Sequence, residues 1–430
     1  MPNTSQKFVI EGEKTLSGTI TVSGSKNAAL PILCATLLTN EKSEIHGVPD
    51  IADIRSLLKI FEHLNVKTTF ENGTVTVDPT GLNVTEIPKD LICSMRASIL
   101  LMGPLLARIK EVQMPFPGGC VLGKRSVQAH THVFQKLGGT VLDESQTLHV
   151  KMEKPKGATI IMPELSVTGT ENALMLAAAL PGTTQIRLAA AEPHVQDLCL
   201  FLTKMGARID GIGTHFLTIN GSAADENRAP ALRGATHEIT GDYLEAGTFA
   251  IAGLVTKSDI TIKGIKTGQL DSFWEKLDEA GAKYELKPEE VRILPTETLK
   301  PIQNLRTAVY PSFPTDLQAP FAVLLTRAQG KSHIFETLFD GRLQYLYELE
   351  KMGAKVEMHN PHQATITGPT RLKGVPISSL DLRAGAAMVL AALCAEGTTE
   401  ISNINYIDRG YENFEGKLRG LGASIKRIQS

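Results

Sequence analysis

At 430 residues the chain exceeds what one hydrophobic core usually serves, so two domains or one large repeated architecture are expected. Hydrophobic residues make up 42 % of it and aromatics only 5 %, so packing must rest on Leu, Ile, Val and Ala, a mixture suited to helices packed on sheets. Lys plus Arg at 44 against Asp plus Glu at 46 leaves a formal charge of -2, which argues against a nucleic-acid binder that neutralises a long phosphate backbone.

The leading segment, Met1 to Gly18, carries Lys7, Glu11, Glu13 and Lys14 and lacks the apolar run of a signal peptide. The longest apolar helical stretches, 99–107 and 384–395, are too short to span a bilayer, so no membrane association is expected. The five cysteines (Cys34, Cys93, Cys120, Cys199 and Cys394) form no CxxC pair, and their odd count fits a reducing compartment, so the expected location is cytoplasmic. Eleven histidines show no HExxH spacing, and the one His-x-His pair, His130 and His132, stands alone; neither a metal site nor a cofactor is expected.

A small phrase recurs along the chain, beginning at Leu64, Leu137, Met205, Ala280, Met352 and Leu421, with spacings of 73, 68, 75, 72 and 69 residues. Each copy follows an amphipathic helical pattern, contains a small residue that is usually Gly, and precedes an alternating strand pattern. A second phrase, an Ala-, Gly- or Leu-rich helix followed by a β-branched strand, is anchored near Ile45, Val112, Ile186, Ile260, Ile334 and Ile401. Its spacings of 67, 74, 74, 74 and 67 obey the same period of about 70 residues. One such unit buries too little alone, so three are expected to close each of two domains. The split is expected near Thr240, after a surface connection from Gly221 to Gly234, giving domains 23–240 and 241–430. The segment 1–22 has strand character and is expected to complete the second domain.

Several segments could carry chemistry. Ser23-Gly24-Ser25-Lys26-Asn27 lies between a strand and an apolar helix, where a lysine beside helix N-terminal N–H groups makes an anion site; a solvated lysine after a turn is the alternative. Pro117-Gly118-Gly119-Cys120 followed by Lys124 and Arg125 presents a thiol on a glycine loop near cations that favour thiolate; an inert small hydrophobe in a turn is the alternative. The other four cysteines lie in apolar helical patterns and are expected to be inert. Arg96, Asp316, Arg342, Arg383 and Arg409 sit near helix starts or in loops after strands; taken singly, each arginine reads as a surface ion pair worth at most about 1 kcal/mol.

Together these phrases resemble the UDP-N-acetylglucosamine enolpyruvyl transferase family. The resemblance runs nearly end to end, through Gly24 to Leu30, Met95 to Ser98, Pro117 to Cys120, Phe313 to Asp316, Asp381 to Ala384 and Ile407 to Glu412, in the family's order. It implies a two-domain inside-out α/β barrel of six repeats, three per domain, closing over a shared cleft. It also implies transfer of the enolpyruvyl group of phosphoenolpyruvate to UDP-N-acetylglucosamine: the sugar hydroxyl adds to C2, C3 takes a proton, and phosphate then leaves as the enol is restored.

The resemblance assigns phosphoenolpyruvate to Lys26, Asn27, Arg125, Arg342 and Arg409, because a carboxylate and a phosphate need several fixed cations. It makes Cys120 the proton donor to C3, able also to form a covalent adduct, and Asp316 the base at the sugar hydroxyl. The nucleotide sugar is assigned to Arg96, Arg125, Ser126, Val127, Gln128, Ala129, Ser166, Val167, Asp316, Leu338 and Arg383. Fosfomycin, an epoxide mimic of phosphoenolpyruvate, is the implied inhibitor at Cys120. Two positions depart from the family pattern: Gln128 stands where Asp is common, and Glu164 where Lys occurs in some members. The rival enzyme, enolpyruvylshikimate phosphate synthase, ordinarily lacks the Pro-Gly-Gly-Cys loop and carries a Gly-Asn-Ala-Gly-Thr-type phrase absent from this chain. A rival from another class is a catalytically inactive binder of nucleotide sugars.

Overall fold

The computed structural model describes residues 6–83, 88–118, 126–143, 147–221 and 232–429. Cys120, Arg125 and most of the expected connection between Gly221 and Gly234 lie outside the described residues.

The first recurrent phrase marks one local event, the exit from a helix. The helices Ala52–His63, Gln128–Lys136, Pro193–Lys204, Asp271–Glu279, Tyr345–Lys351 and Phe414–Gly420 each run into it. Its second residue is left-handed every time: Asn65 at φ 57°, Gly138 at 95°, Gly206 at 109°, Gly281 at 72°, Gly353 at 98° and Gly422 at 100°. A left-handed residue just past a helix lets the next N–H groups reach back to the last carbonyls, and Gly adopts it without a Cβ clash. Gly206 and Ala207 do so, donating to the carbonyls of Thr203 and Leu202 at 3.0 Å each. Asn65, the exception, is the other residue type that tolerates this region. The phrase's first residue is buried in all six copies and closes the apolar face of its helix.

The chain divides into two compact units, one formed from 24–118 and 126–240, the other from 6–23 and 241–429. Among the described residues each unit holds three sheets. In the first, strands run in the order Thr236–Glu238, Ser43–His46, Thr74–Asp78, Lys67–Glu71; then Glu111–Pro115, Thr147–Met152, Gly139–Asp143; then Arg208–Asp210, Phe216–Gly221, Gly182–Arg187, Thr159–Ile161. In the second unit, Asp259–Lys263 lies between Ser17–Thr21, parallel to it, and Glu290–Leu294, antiparallel. Gly330–Phe335 sits likewise between Leu305–Arg306 and Gln363–Gly368.

The last sheet has the same plan with one strand borrowed from the far end of the chain. Gln6–Glu11 runs antiparallel to both Thr398–Ser402 and Ser424–Gln429, with Phe8 opposite Ile401 on one side and Arg427 on the other. Alternation explains the register: Phe8 and Ile10 are fully buried, whereas Glu11 faces solvent.

The sheets alternate buried and exposed residues, and the Ala- and Gly-rich helices form the interiors. Every residue of Tyr243–Val255 and of Gln318–Leu325 is buried, and these two helices pack against each other and against Leu382–Leu393. A small residue permits that approach: a Cβ on Gly247 would come 2.5 Å from Leu317 Cδ1, at the start of Gln318–Leu325. Helices inside and sheets outside is the inside-out arrangement expected above. No helix among the described residues is long and apolar enough to cross a membrane.

Candidate functional site

In the first unit, helix Lys26–Ala35 starts directly after Ser23-Gly24-Ser25. Gly24 has no alternative there, since a Cβ would lie 1.8 Å from the Gly47 carbonyl oxygen. The Lys26 side chain is buried and its Nζ lies 2.7 Å from Asp53 Oδ2, in the first turn of helix Ala52–His63. This rules out the solvated lysine. An anion reaching Lys26 must share it with Asp53. Asn27 beside it is half-buried.

Arg96 opens the turn Arg96–Leu101 and its Nη2 donates to the Ser126 carbonyl at 2.9 Å. Ser126 Oγ accepts from Gln128 N–H at 3.0 Å, Val127 precedes helix Gln128–Lys136, and Ala129 is buried in its first turn. Ser166 caps helix Val167–Ala178 by accepting from Gly169 N–H at 3.2 Å. The departing side chains Gln128 and Glu164 are both exposed, while the Glu164 carbonyl still accepts from Ser166 N–H at 2.8 Å.

Pro117 and Gly118 hold the near end of the cysteine loop. A Cβ on Gly118 would lie 2.3 Å from the Cys93 carbonyl oxygen, so this glycine is needed for close backbone contact. Cys34, Cys199 and Cys394 are buried, and burial pushes Cys394 up to about 11, Cys199 up to about 12 and Cys34 still higher. Cys93 corrects the expectation that all four are shielded: it is only half-buried at the end of the short helix Lys89–Ser94, its Sγ 3.5 Å from the Phe116 carbonyl.

In the second unit three residues distant in sequence converge. Asp316, in the turn Thr315–Leu317, accepts from Arg342 Nη2 at 2.7 Å through Oδ1 and from Arg383 Nε at 3.0 Å through Oδ2. Both guanidinium side chains are 4 % exposed against 26 % for Asp316, so the reading of these two arginines as surface ion pairs is overturned. Burial would raise the Asp316 carboxyl, but Arg383 and Arg342 outweigh it and hold the group well below the usual carboxylate range. Arg383 is aimed by its place at the start of helix Leu382–Leu393, whose cap Asp381 accepts from the Arg383 and Ala384 N–H groups. Its guanidinium lies 5.3 Å from the centre of the Tyr411 ring. Among the described residues Arg383 Nη1 is buried with no hydrogen-bond partner.

Leu338 is 38 % exposed, and its N–H donates to Glu336 Oε1 at 2.9 Å. Glu336 Oε2 accepts from Thr315 Oγ1 at 2.8 Å, so one fully buried carboxylate braces the turns bearing Leu338 and Asp316. Arg409 ends the turn Ile404–Arg409 and is half-buried.

Sequence reasoning missed Asp53, Glu336, Asn172 and His130. A carboxylate directly after the apolar pair Ile334-Phe335 was the available sign for Glu336. Asn172 carried a similar sign, a lone amide on helix Val167–Ala178, which is buried from Gly169 onward. Among the described residues no group of three or more His, Cys, Asp or Glu could hold a metal ion.

The chain matches the family of EPSP synthase (3-phosphoshikimate 1-carboxyvinyltransferase) over residues 10–418. It is 42 % identical to a protein of Desulfosudis oleivorans named UDP-N-acetylglucosamine 1-carboxyvinyltransferase, covering 98 % of this chain and 99 % of that one. A protein of the same name from Nitratiruptor is 40 % identical, with 97 % and 98 % covered. Among solved structures, the enolpyruvyl transferase NikO from Streptomyces tendae superposes with a TM-score of 0.89 at 24 % identity over 99 % of each chain. An EPSP synthase from Acinetobacter baumannii gives a TM-score of 0.74 at 18 % identity, covering 99 % of this chain and 100 % of that one.

Proposed function

The chain belongs to the EPSP synthase family of enolpyruvyl transferases, and we propose that it transfers the enolpyruvyl group of phosphoenolpyruvate to UDP-N-acetylglucosamine. The products are inorganic phosphate and UDP-N-acetyl-3-O-(1-carboxyvinyl)-glucosamine, which enters peptidoglycan synthesis in the cytoplasm. The observation that carries this reading is the Asp316 carboxylate, kept ionised between Arg342 and Arg383, with Arg383 Nη1 lacking a partner among the described residues. A buried guanidinium N–H without a partner is costly unless a ligand oxygen completes it. The relatives named for this reaction, at 40–42 % identity over nearly the whole chain, favour UDP-N-acetylglucosamine over shikimate 3-phosphate as acceptor.

Lys26, Asn27, Arg125, Arg342 and Arg409 take the carboxylate and phosphate of phosphoenolpyruvate. Arg96, Arg125, Ser126 to Ala129, Ser166, Val167, Asp316, Leu338 and Arg383 take the nucleotide sugar. Asp316 accepts the proton of the sugar hydroxyl, and Cys120 protonates C3 of phosphoenolpyruvate. With both arginines on it, Asp316 is a weak base. Arg342 is also one of the cations offered to phosphoenolpyruvate, so the substrate anion competes with Asp316 for it. Drawing Arg342 toward substrate removes part of the charge that depresses the carboxyl and raises its basicity when the acceptor hydroxyl is in place. Asp53 stands in the same relation to Lys26. Fosfomycin, steered by the same cations, alkylates Cys120.

The test is phosphate release from phosphoenolpyruvate by the purified protein with each acceptor. Release with UDP-N-acetylglucosamine and none with shikimate 3-phosphate is expected; the converse would reassign the acceptor, and release with neither would leave a binding protein.

A further inference from the structure

Three segments assigned above to the nucleotide sugar, Arg96–Leu101, Ser126 to Ala129 and Ser166–Val167, are brought together by one buried amide. Asn172, fully buried on helix Val167–Ala178, accepts from Gly103 N–H through Oδ1 at 2.7 Å. Its Nδ2 donates to the Ile99 carbonyl at 3.0 Å, inside the turn that Arg96 opens, and lies 2.9 Å from His130 Nδ1. His130 is 2 % exposed and stands in the first turn of helix Gln128–Lys136; its Nε2 lies 3.1 Å from Thr168 Oγ1, one residue past Val167.

The network allows one assignment of protons. Gly103 N–H requires the amide oxygen on its side, so the amide nitrogen faces Ile99 and His130. His130 Nδ1 must then be the acceptor, which places the ring proton on Nε2, toward Thr168. Burial, with help from Arg96, pushes His130 down to about 3, so the ring is neutral at working pH. A Cβ on Gly103 would lie 2.7 Å from Asn172 Oδ1, so the small residue there lets the amide approach.

We propose that Asn172, through His130, is the positioning residue of the nucleotide-sugar half of the site, holding the Arg96 turn, the Ser126–Ala129 helix start and the Ser166 cap in one register. Both side chains are too deeply buried to touch substrate as they stand. The proposal rests on the reading that those three segments bind UDP-N-acetylglucosamine.

The experiment is calorimetric titration of UDP-N-acetylglucosamine into the parent, Asn172→Asp, His130→Asn and His130→Gln, with melting temperature measured alongside. Asn172→Asp keeps shape and the Gly103 bond but loses both donors, so affinity should fall about tenfold or more while the protein stays folded. His130→Asn places an amide oxygen near the position of Nδ1 and should keep affinity within about threefold of the parent, whereas His130→Gln, which can serve Thr168 but not Asn172, should not. A control variant, Ser332→Ala, removes the buried acceptor of Ile302 N–H in the other unit and should lower melting temperature without changing affinity. Should Asn172→Asp not fold, the His130 pair decides. Parent-like affinity in His130→Gln, or equal losses in His130→Asn and His130→Gln, overturns the proposal. Failure of the parent to bind UDP-N-acetylglucosamine overturns the functional reading instead.

Discussion

Replacing Asp316 by Asn tests the part of the site that the geometry defines best. The amide keeps one acceptor oxygen but turns its NH2 toward the second guanidinium, so one of the bonds from Arg342 and Arg383 is lost and the other is weakened. Charge-assisted hydrogen bonds contribute roughly 1.5 to 3 kcal/mol each. Because the Asp316 side chain is 26 % exposed, water screens part of that, and a net loss of about 2 to 3 kcal/mol is expected. In a unit of this size the loss corresponds to a melting temperature lower by roughly 4 to 12 °C. Removing the base should separately cost about a hundredfold to ten-thousandfold in kcat. The pH dependence follows from the depressed carboxyl: its contribution is present above its ordinary value of 3.8 and is lost as pH falls through the lower folded value. The gap between parent and variant should therefore be flat from about pH 5 to 8 and close only in stronger acid. Calorimetric unfolding across pH and steady-state phosphate release are the assays. A variant that melts with the parent and keeps kcat within about threefold would refute both the pairing and the role.

Glu245, buried on helix Tyr243–Val255, is pushed up to about 7 by burial, opposed by Lys417. Its raised value means that stability present below about pH 4.5 is lost as pH rises toward 7, so Glu245→Gln should gain on the parent in urea midpoint over that window; a constant difference counts against it. Arg409→Ala and Lys26→Ala should each lower kcat/KM roughly thirtyfold or more, while Arg371→Ala should not; equal effects at all three would mean that surface arginines were mistaken for a site. Melting must accompany Lys26→Ala, because that change strands the buried Asp53. Fosfomycin should add once per chain, at Cys120, and Cys120→Ser should abolish the adduct and most turnover, whereas Cys120→Asp should keep turnover without the adduct. Peptide mapping that places the adduct on Cys93, the most accessible of the other thiols, would move the reactive loop.

The repeat, the helix exits and the interior helices were legible in the sequence because each is a short-range matter. A left-handed residue one step past a helix calls for Gly or Asn wherever it occurs, and six copies of that requirement wrote the phrase from Leu64 to Leu421. Helices that read as apolar on all sides, such as Tyr243–Val255, had to be interior. Motifs also carried the identity of Asp316, Arg342 and Arg383, but as three separate residues, and local context made the arginines look like exposed charges. Only tertiary packing turned them into one buried cluster, because whether a guanidinium is desolvated depends on what the rest of the chain lays over it. The same holds for Gln6–Glu11, whose alternation marked a strand but not its partners: the bonds it satisfies belong to strands near residues 400 and 426, and sequence distance leaves no trace of that choice. Asn172 was least legible of all, since one buried amide is indistinguishable from any other until the groups that complete its hydrogen bonds, Gly103, Ile99 and His130, are brought to it by folding.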